Sequence, residues 1–412
     1  MSNRVVVTGL GVITPLGLKP GDLWENLMAR RSGIGPITKF DASDHAVRIA
    51  AEVRDFDVGQ YLDRREARRM DPYCHYAMAA AREAVDDAAL DVGRLHPERV
   101  GVILGTGQGG ISSLCDQMET YYEKGPRRVS PFLIPMMITN MAAGYVGIDL
   151  KARGPNMTLT TACAASAHAI GEAFRILQRG DADVILTGGA EAGIVPISLA
   201  GFASMKALST RNDDPEAACR PFDADRDGFV VGEGAVSLVL ETLQHAEARG
   251  AEVLGELLGY AATNDAYHVT APLPSGEGGA RSMSLAIRDA GLTPDDIDYI
   301  NAHGTGTPSG DVAESKAVET VFGERAKQVP VSSTKSMTGH LLGAAGALES
   351  VICLLSMKAG MIPPTINLAR PGEDCNLDYV VDGPRPARVD VALTNSFGFG
   401  GQNASLVWGR VK

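Results

Sequence analysis

The chain has 412 residues, of which 45% are hydrophobic and 21% charged, so it can bury a large core and wholesale disorder is excluded. Its 50 acidic and 38 basic residues give a formal net charge of −12, which argues against a general nucleic-acid binder. Six scattered cysteines, no export signal and no uncharged apolar stretch long enough for a bilayer predict a reduced, cytoplasmic protein without a membrane span.

Strand-like and helix-like segments alternate along the first half of the chain. The apolar, β-branched runs are Arg4–Thr8, Val100–Leu104, Thr158–Thr161, Val184–Thr187 and Ala235–Leu240. The amphipathic helical segments include Tyr76–Ala89 and Ala164–Gln178. This alternation predicts an α/β protein with a buried, largely parallel sheet. We expect loops over Ser209–Asp227 and Met361–Arg388, which are rich in turn-forming residues.

Two motif-like segments do not carry the function they suggest. Residues 105–110 match G-x-G-x-x-G after a strand, but no strand ending in an acidic residue follows at the distance that dinucleotide binding requires. Residues 223–228 open like a calcium-binding loop, but the twelfth position is Gly234 instead of a bidentate glutamate. We interpret the second segment as a charged loop.

Cys163 lies where a strand passes into a long helix, within Thr161-Ala-Cys-Ala-Ala165. The helix dipole at this position favours a thiolate, so we expect a thiol pKa below the free value of about 8.5. A tight turn among small residues also exposes the sulfur, as in a nucleophile elbow. The segment predicts a nucleophilic cysteine; a buried, unreactive cysteine is the alternative.

His303 ends a strand, and the Gly/Thr-rich segment Gly304–Thr307 follows it. Reacting groups of α/β proteins lie at the carboxyl ends of strands, so His303 is a candidate for chemistry. The hydroxyls of Thr305 and Thr307 are candidates for contacts with a ligand chain. A structural histidine in a capped turn is the alternative.

The second half of the chain repeats the first. Residues 227–240, DGFVVGEGAVSLVL, align with residues 395–408, NSFGFGGQNASLVW. Thr158–Thr161 and its helix are matched by Val329–Thr334 and the next helix, and Asp183–Thr187 by Val389–Asn395, in the same order. Ordered matches predict a duplicated α/β unit. The boundary falls near Ala248–Ala251, which divides the chain into residues 1–250 and 251–412.

This duplication pairs the Cys163 junction with the segment Ser333–His340, so we expect Lys335 and His340 to lie near the sulfur. In Asn395–Gly401, phenylalanines alternate with glycines. This pattern suits a flexible gate whose backbone N–H groups face an oxyanion. A β-bulge or a sharp corner would explain the glycines equally well.

Taken together, these segments resemble the β-ketoacyl-acyl-carrier-protein synthases, most closely the synthase II type, over essentially the whole chain. The resemblance is carried by Val5–Gly11, Thr161–Ala165, Pro221–Asp223, Asp227–Gly234, Asn301–Thr307, Ser333–His340 and Asn395–Gly401. It implies the thiolase-like fold, with two duplicated α/β halves layered α-β-α-β-α, and a homodimer.

The resemblance also implies a reaction. An acyl chain held on Cys163 would undergo a decarboxylative Claisen condensation with malonyl-acyl-carrier-protein, giving 3-oxoacyl-acyl-carrier-protein and CO2 in fatty-acid elongation. His303 and His340 would stabilise the developing enolate. Lys335 and Glu349 would support these histidines. The backbone N–H groups of Cys163 and Phe399 would form the oxyanion hole, and Phe399 would gate the acyl pocket.

Further positions are implied by the same resemblance. Substrate contacts fall on Thr270, Thr305, Thr307, Gln108, Phe202 and Phe399. Docking of the acidic carrier protein falls on Arg65, Arg68, Arg69, Arg127, Arg128 and Lys206, cationic residues in an anionic background. No cofactor is implied, because phosphopantetheine arrives on the carrier. No metal is required, although the family sometimes holds a structural monovalent cation near Asn301, Glu349, Thr394 and Asn395.

Gln108 departs from the family pattern, which usually has an apolar residue at the end of the acyl tunnel. A buried amide without a partner costs about 1–3 kcal/mol, so Gln108 needs a hydrogen-bond partner, within the chain or across a dimer. The preferred length of the acyl chain therefore stays open.

Three alternative functions remain open. A ketosynthase subunit of a polyketide or other specialised lipid pathway would use the same residues on a different chain. A Cys-His thiol hydrolase would need one histidine and an Asn or Asp that orients it. A zinc-binding structural protein would ligate the metal through Cys163, His303 and His340.

Overall fold

In the computed structural model, which describes residues 2–411, the chain forms a mixed α/β fold. The strands are β1 (Val5–Ile13), β2 (Gly35–Pro36), β3 (Ile49–Ala50), β4 (Val100–Gly105), β5 (Asn156–Leu159), β6 (Val184–Glu191), β7 (Gly234–Thr242), β8 (Gly255–Asn264), β9 (Tyr299–Asn301), β10 (Val331–Ser332), β11 (Met361–Ile362), β12 (Arg385–Pro386), β13 (Val391–Gly398) and β14 (Gln402–Gly409). The helices are α1 (Pro20–Met28), α2 (Arg64–Ala67), α3 (Pro72–Asp87), α4 (Ile111–Lys124), α5 (Leu133–Met137), α6 (Met141–Asp149), α7 (Ala165–Arg179), α8 (Pro196–Ser204), α9 (Leu243–Ala248), α10 (Glu277–Asp289), α11 (Pro308–Phe322), α12 (Lys335–Thr338) and α13 (Ala345–Ala359).

The central sheet has two ends that are built alike. Its strand order is β5-β4-β6-β7-β1 in one half and β10-β9-β13-β14-β8 in the other, and β1 pairs with β8 where the halves meet. When the five strands of each half are numbered in chain order, the order across the sheet is 3-2-4-5-1 in both halves. The predicted duplication of an α/β unit is confirmed by this shared topology.

The prediction of a largely parallel sheet is wrong, because the sheet is mixed. In one half the pairs β5–β4 and β4–β6 are parallel, whereas β6–β7 and β7–β1 are antiparallel. The corresponding pairs of the other half run in the same directions. The strand β7 is an apolar run buried along its whole length. Burial on both faces produces the same pattern in either direction, so the sequence could not indicate which way this strand runs.

The helices form three layers around the two halves of the sheet. Helix α3 packs on β1 and β7 at one outer face, and α10 packs on β8 and β14 at the other. Helices α7 and α13 pack against each other and against both halves of the sheet, so they lie between them. The predicted α-β-α-β-α layering is therefore confirmed.

The central helix α13 explains the most apolar stretch of the sequence. The segment Leu342–Ala359 is long and apolar enough to span a membrane by composition, but 83% of it is buried inside the fold. Its hydrophobicity is that of a core helix with neighbours on several sides.

Each half has a tight turn just before its central helix. A single 3-10 turn, Ala162–Ala164, precedes α7, and another, Leu342–Ala344, precedes α13. Both turns begin on a non-glycine residue with positive φ, +50° at Ala162 and +48° at Leu342. This backbone conformation is unfavourable for residues with a side chain, so the same local strain is kept in both copies. The two turns contact each other, which places the junctions side by side.

Some predicted bounds shift. The strand expected over Thr158–Thr161 is β5, Asn156–Leu159, because Thr160 and Thr161 already lead into the turn. In the predicted loop Ser209–Asp227 only the 3-10 turn Pro215–Ala217 is regular, and the predicted loop Met361–Arg388 includes the short strands β11 and β12.

Candidate active site

A single cavity of about 370 Å³ receives residues from four separate segments of the chain. Cys163 reaches it from the turn before α7, His303 from the end of β9, His340 from the segment after α12, and Phe399 from the turn between β13 and β14. The proposed substrate contacts and one docking residue also line it: Gln108, Phe202, Lys206, Thr270, Thr305 and Thr307. Residues far apart in sequence thus meet where the two halves join.

Cys163 is half-buried, and the backbone N–H of Phe399 lies close enough to its sulfur to lower the pKa of the thiol. Gly398 allows this close approach. A Cβ atom at Gly398 would lie 2.8 Å from the carbonyl oxygen of Thr161 and 3.1 Å from the backbone nitrogen of Cys163. The β13–β14 turn can therefore lie against the nucleophile only because position 398 has no side chain. The segment includes the tight turn between β13 and β14, and Phe399 lines the cavity.

Burial raises the pKa of the Cys163 thiol to about 12; the charge of Lys335 lowers it and the carboxylate of Glu191 raises it further. The prediction of a lowered pKa from the helix N-terminus is therefore wrong. The loss of hydration of the thiolate outweighs the lowering effect of the Lys335 charge.

His303 and His340 face each other across the cavity, with ring centroids 5.3 Å apart and planes at 84°. Burial, and then the charge of Lys335, hold the pKa of both imidazoles well below 6.5, so both rings are neutral at physiological pH. Within the described chain, Nδ1 of His303 and both ring nitrogens of His340 have no hydrogen-bond partner. These nitrogens are available to a ligand.

Lys335 and Glu349 form an ion pair behind the two histidines, and both side chains are buried. Neither residue lines the cavity. Burial raises the pKa of Glu349 to about 7, against the lowering effect of Lys335. Lys335 thus acts on the site through its charge and not through contact with a ligand.

Two buried carboxylates that shape the cavity were not predicted from the sequence. Glu314 on α11 accepts the backbone N–H groups of His303 and Gly304 at 2.8 and 2.7 Å. Glu191 at the end of β6 accepts N–H groups from Gly107 at 2.7 Å and Gly343 at 3.0 Å, which joins the two halves. A single glutamate within a helix or at the end of a strand has no distinctive spacing. The one signal for Glu191 in the sequence is its position at the end of the apolar strand β6, where a charged residue is unusual.

Gln108 finds its partner within the same chain. Its Oε1 accepts a hydrogen bond of 3.3 Å from the hydroxyl of Ser198. A Cβ atom at Gly193 would lie 2.2 Å from that Oε1, so the absence of a side chain at Gly193 makes room for the amide. The hydroxyls of Thr305 and Thr307 lie 3.0 Å apart at another part of the wall.

Of the four residues implied for a monovalent cation, three have an oxygen that is suited to bind it. Oδ1 of Asn301, Oε2 of Glu349 and Oγ1 of Thr394 are buried oxygens without a hydrogen-bond partner in the described structure. Such oxygens are suitable ligands for a cation. The side chain of Asn395 is already used, because its Nδ2 donates to Glu314 and its Oδ1 accepts from Ser405.

The zinc alternative is not supported. Over residues 2–411, no group of three or more His, Cys, Asp or Glu side chains has an arrangement that could hold a metal ion. Cys163, His303 and His340 share the cavity but do not form such a group.

All six predicted docking residues are exposed: Arg65, Arg68, Arg69, Arg127, Arg128 and Lys206. In the described residues none of them forms an ion pair, although many other surface arginines do. Arg69 lies with its guanidinium 4.7 Å from the ring centroid of Phe132, and Lys206 lies at the mouth of the cavity. These cations are therefore exposed and without an anionic partner among the described residues.

Comparisons with known proteins agree on one family. Residues 2–246 match the model of the beta-ketoacyl synthase N-terminal domain, and residues 254–369 match that of its C-terminal domain. A "3-oxoacyl-[acyl-carrier-protein] synthase 2" of Synechocystis sp. is 55% identical over 98% of this chain and 97% of its own length. A protein of the same name from Staphylococcus aureus is 50% identical over 99% of this chain and 98% of its own.

Solved structures of similar proteins cover the whole chain. The ishigamide ketosynthase/chain length factor superimposes with a TM-score of 0.94 at 37% identity, and each chain is covered completely. A type II PKS ketosynthase, solved in complex with its acyl-carrier protein, superimposes with a TM-score of 0.92 at 34% identity, again over 100% of both chains. A beta-ketoacyl synthase of Burkholderia phymatum gives 0.92 at 37% identity over the same coverage.

Proposed function

This chain belongs to the beta-ketoacyl synthase family, and we propose that Cys163, His303 and His340 carry its reaction. The protein is a condensing enzyme of fatty-acid elongation. It joins an acyl group to malonyl-acyl-carrier-protein and forms 3-oxoacyl-acyl-carrier-protein and CO2. The assignment of roles rests on one observation, the convergence of a cysteine and two neutral histidines on one cavity.

In the first step the Cys163 sulfur attacks the thioester carbonyl of the acyl-carrier protein. Because burial raises the pKa of this thiol to about 12, the proton must leave as the sulfur attacks. A neutral imidazole of the cavity can accept it and return it to the departing carrier thiol. The backbone N–H groups of Cys163 and Phe399 stabilise the tetrahedral oxyanion.

In the second step the malonyl group loses CO2, and the electron pair of the broken bond forms an enolate on the carrier-bound acetyl unit. His303 and His340 donate hydrogen bonds to the enolate oxygen. A neutral donor suits this role, because a charged imidazolium would give up its proton to the enolate. Burial, and then the charge of Lys335, keep both rings neutral.

In the third step the enolate carbon attacks the acyl thioester on Cys163. The new carbon–carbon bond forms, the sulfur leaves as a thiolate, and it then takes up one proton. The overall reaction therefore consumes one proton for each CO2 released. The high thiol pKa favours this final protonation and restores the resting enzyme.

Acyl-carrier protein is the partner, in its acyl and malonyl forms. A related ketosynthase has been solved in complex with its acyl-carrier protein, which supports such a partner here. The unpaired arginines and Lys206 would bind its acidic surface, and Thr270, Thr305 and Thr307 would contact the pantetheine arm. The chain needs no cofactor of its own, because phosphopantetheine arrives with the carrier.

We also propose a cytoplasmic homodimer. Among the described residues β5 ends the sheet with one edge unpaired, and large apolar side chains are exposed on β5, on α6, which packs against it, and around α5. They include Phe132, Ile134, Ile138, Ile148 and Met157. A second copy would cover this edge and these side chains together. The unpartnered oxygens near Glu349 would accept a structural monovalent cation.

The alternatives have less support. A polyketide or specialised-lipid ketosynthase would share this site, and solved ketosynthases of that kind are 34–37% identical. The relatives named for fatty-acid synthesis are 50–55% identical. A thiol hydrolase needs a histidine oriented by an Asn or Asp, whereas Nδ1 of His303 and both ring nitrogens of His340 lack such a partner in the described residues.

The replacement Cys163→Ala tests the assignment. We expect it to abolish condensation and to remove the acyl adduct from the intact protein's mass, because no other thiol lines the cavity among the described residues. Cys115→Ala is the matched control, since this half-buried cysteine lies on α4 outside the cavity. Elongation retained by Cys163→Ala would contradict the proposal.

A further inference from the structure

His168 lies one helical turn beyond the nucleophile and plays no part in the mechanism above. It is on α7, buried to 7% exposure, and it does not line the cavity. Its ring therefore cannot touch substrate. A buried imidazole close to the reacting sulfur needs another explanation.

Both ring nitrogens of His168 have partners on different elements. Nδ1 lies 2.7 Å from the hydroxyl of Thr161, which precedes the nucleophile turn. The other nitrogen faces the backbone of Asn403 on β14, whose nearness raises the pKa of the ring. Burial lowers the pKa of His168, so the ring is neutral, with one acceptor and one donor. The acceptor fits the Thr161 hydroxyl and the donor fits the Asn403 carbonyl.

These two partners lead to the two groups that meet at the oxyanion hole. Thr161 is two residues before Cys163 in the same turn. Asn403 pairs with Phe397 in the β13–β14 ladder, and the turn of that hairpin carries Phe399. The backbone N–H of Phe399 faces the Cys163 sulfur. The imidazole of His168 thus joins the base of the nucleophile turn to the base of the hairpin.

The hairpin is held on its other side by Asp265. This carboxylate accepts a hydrogen bond of 2.7 Å from the Asn403 side chain, and its backbone N–H donates to the Gly401 carbonyl at 2.9 Å. Among the described residues, His168 makes the side-chain bridge from this hairpin back to the nucleophile turn. Without it, the bonds of Asp265 would still hold the hairpin, but no side-chain bond among the described residues would tie it to the nucleophile turn.

We propose that His168 is a positioning residue that holds the Phe399 N–H against the Cys163 sulfur by tying the nucleophile turn to the β13–β14 hairpin. This inference rests on the proposed function for its consequence in catalysis. Its geometric part does not, because the position of the sulfur can be measured without any condensation.

Four variants separate the two bonds. His168→Leu removes both, His168→Asn keeps an acceptor near Thr161, and His168→Gln keeps a donor that can reach Asn403. Thr161→Val removes the hydroxyl without changing the shape of the side chain much. His75→Leu is the control, because His75 is a helical histidine whose ring bonds to the Ala67 carbonyl at 2.8 Å, away from the cavity.

The readouts are the rate of Cys163 alkylation by iodoacetamide across a pH series, and kcat and KM for acyl transfer. We expect His168→Leu to lower kcat roughly 10- to 100-fold and to change the pH profile of alkylation, because a displaced oxyanion donor is lost in the transition state. KM for the carrier should stay unchanged. Thr161→Val should also lower kcat. His168→Asn and His168→Gln should keep more of the wild-type kcat than His168→Leu does. The double variant Thr161→Val with His168→Leu should have a kcat no lower than that of His168→Leu alone.

Two results would overturn the inference. One is a His168→Leu enzyme that melts at a lower temperature but keeps wild-type kcat and the wild-type alkylation profile, as we expect for His75→Leu. The other is Thr161→Val with unchanged kcat and alkylation, which decides the matter if His168→Leu does not fold. Failure of the proposed function would look different: the wild-type protein itself would not condense, whereas the alkylation differences would remain.

Discussion

At the scale of single residues, the proposed site combines one cysteine sulfur with two neutral imidazoles. Burial sets both properties, because it raises the pKa of Cys163 and lowers the pKa of His303 and His340. The same desolvation thus keeps the thiol protonated at rest and the imidazoles uncharged. The buried cation of Lys335 lowers the pKa of Cys163, against the effect of burial. It also lowers the pKa of both imidazoles, in the same direction as burial.

Gln108 gives a prediction about substrate length at this scale. The replacement Gln108→Leu should raise kcat/KM for long saturated acyl groups roughly 5- to 100-fold relative to short ones, because an apolar chain no longer buries an amide at a cost of about 1–3 kcal/mol. A ladder of acyl-carrier substrates, scored by product mass, measures this ratio.

The matched variant for that experiment is Ser198→Ala, which removes the partner of the amide and keeps Gln108 itself. We expect it to disfavour long chains further, since the amide oxygen is then unsatisfied. Equal changes for all chain lengths in Gln108→Leu would show that this residue does not limit the acyl pocket.

At the scale of elements, the fold depends on a turn repeated in both halves. Ala162 and Leu342 adopt the same strained conformation ahead of α7 and α13, but only the first turn carries the nucleophile. In the second copy the corresponding residue is Gly343, where a Cβ atom would lie 2.3 Å from the backbone nitrogen of Gly107. The segment before that turn instead supplies Lys335 and His340. The first half thus provides the Cys163 sulfur, and the second half provides the charge of Lys335 and the imidazole of His340.

Gly398 gives a prediction for the hairpin. Gly398→Ala should push the β13–β14 turn away from the nucleophile, because its Cβ would contact the Thr161 carbonyl at 2.8 Å. We expect kcat to fall roughly tenfold or more, since one oxyanion donor is displaced. Steady-state kinetics measure the loss. Gly21→Ala on α1 is the control, because a Cβ there meets nothing within 4 Å, and equal activity of the two variants would refute the prediction.

Sequence patterns predicted the elements whose signals are local. The strand–cysteine–helix junction and the strand end at His303 follow from residues close together in the chain, and the repeat follows from the similarity of such local segments in the two halves. Glu191, Glu314 and His168 were missed, because each acts through backbone or side-chain partners supplied by distant segments. Strand direction was missed for a similar reason, since the pattern of β7 is the same either way.

At the scale of the whole molecule, an acidic protein must bind an acidic partner. The net charge of −12 would repel such a carrier at long range, so attraction must come from a local surface. We propose that this attraction comes from the exposed, unpaired arginines of two segments, α2 with its C-terminal end and the 3-10 turn Pro126–Arg128, and from Lys206, which lines the cavity.

Charge reversal tests this surface. The double variant Arg65→Glu with Arg68→Glu should raise KM for acyl-carrier protein about tenfold or more at low salt and leave kcat nearly unchanged, because docking and chemistry use different residues. The effect should shrink as salt is added. Arg94→Glu with Arg153→Glu changes the net charge equally outside these residues. Equal KM values for the two double variants would place docking elsewhere.

The central claim is that one sulfur and two imidazoles act in a single cavity with divided tasks. The most direct test measures CO2 release from malonyl-carrier protein and the acyl adduct on Cys163 in the variants His303→Ala and His340→Ala. We predict that both variants still acquire the adduct, whereas CO2 release falls roughly 100-fold or more, because each loses a donor to the enolate oxygen. Normal CO2 release in either variant would contradict the account.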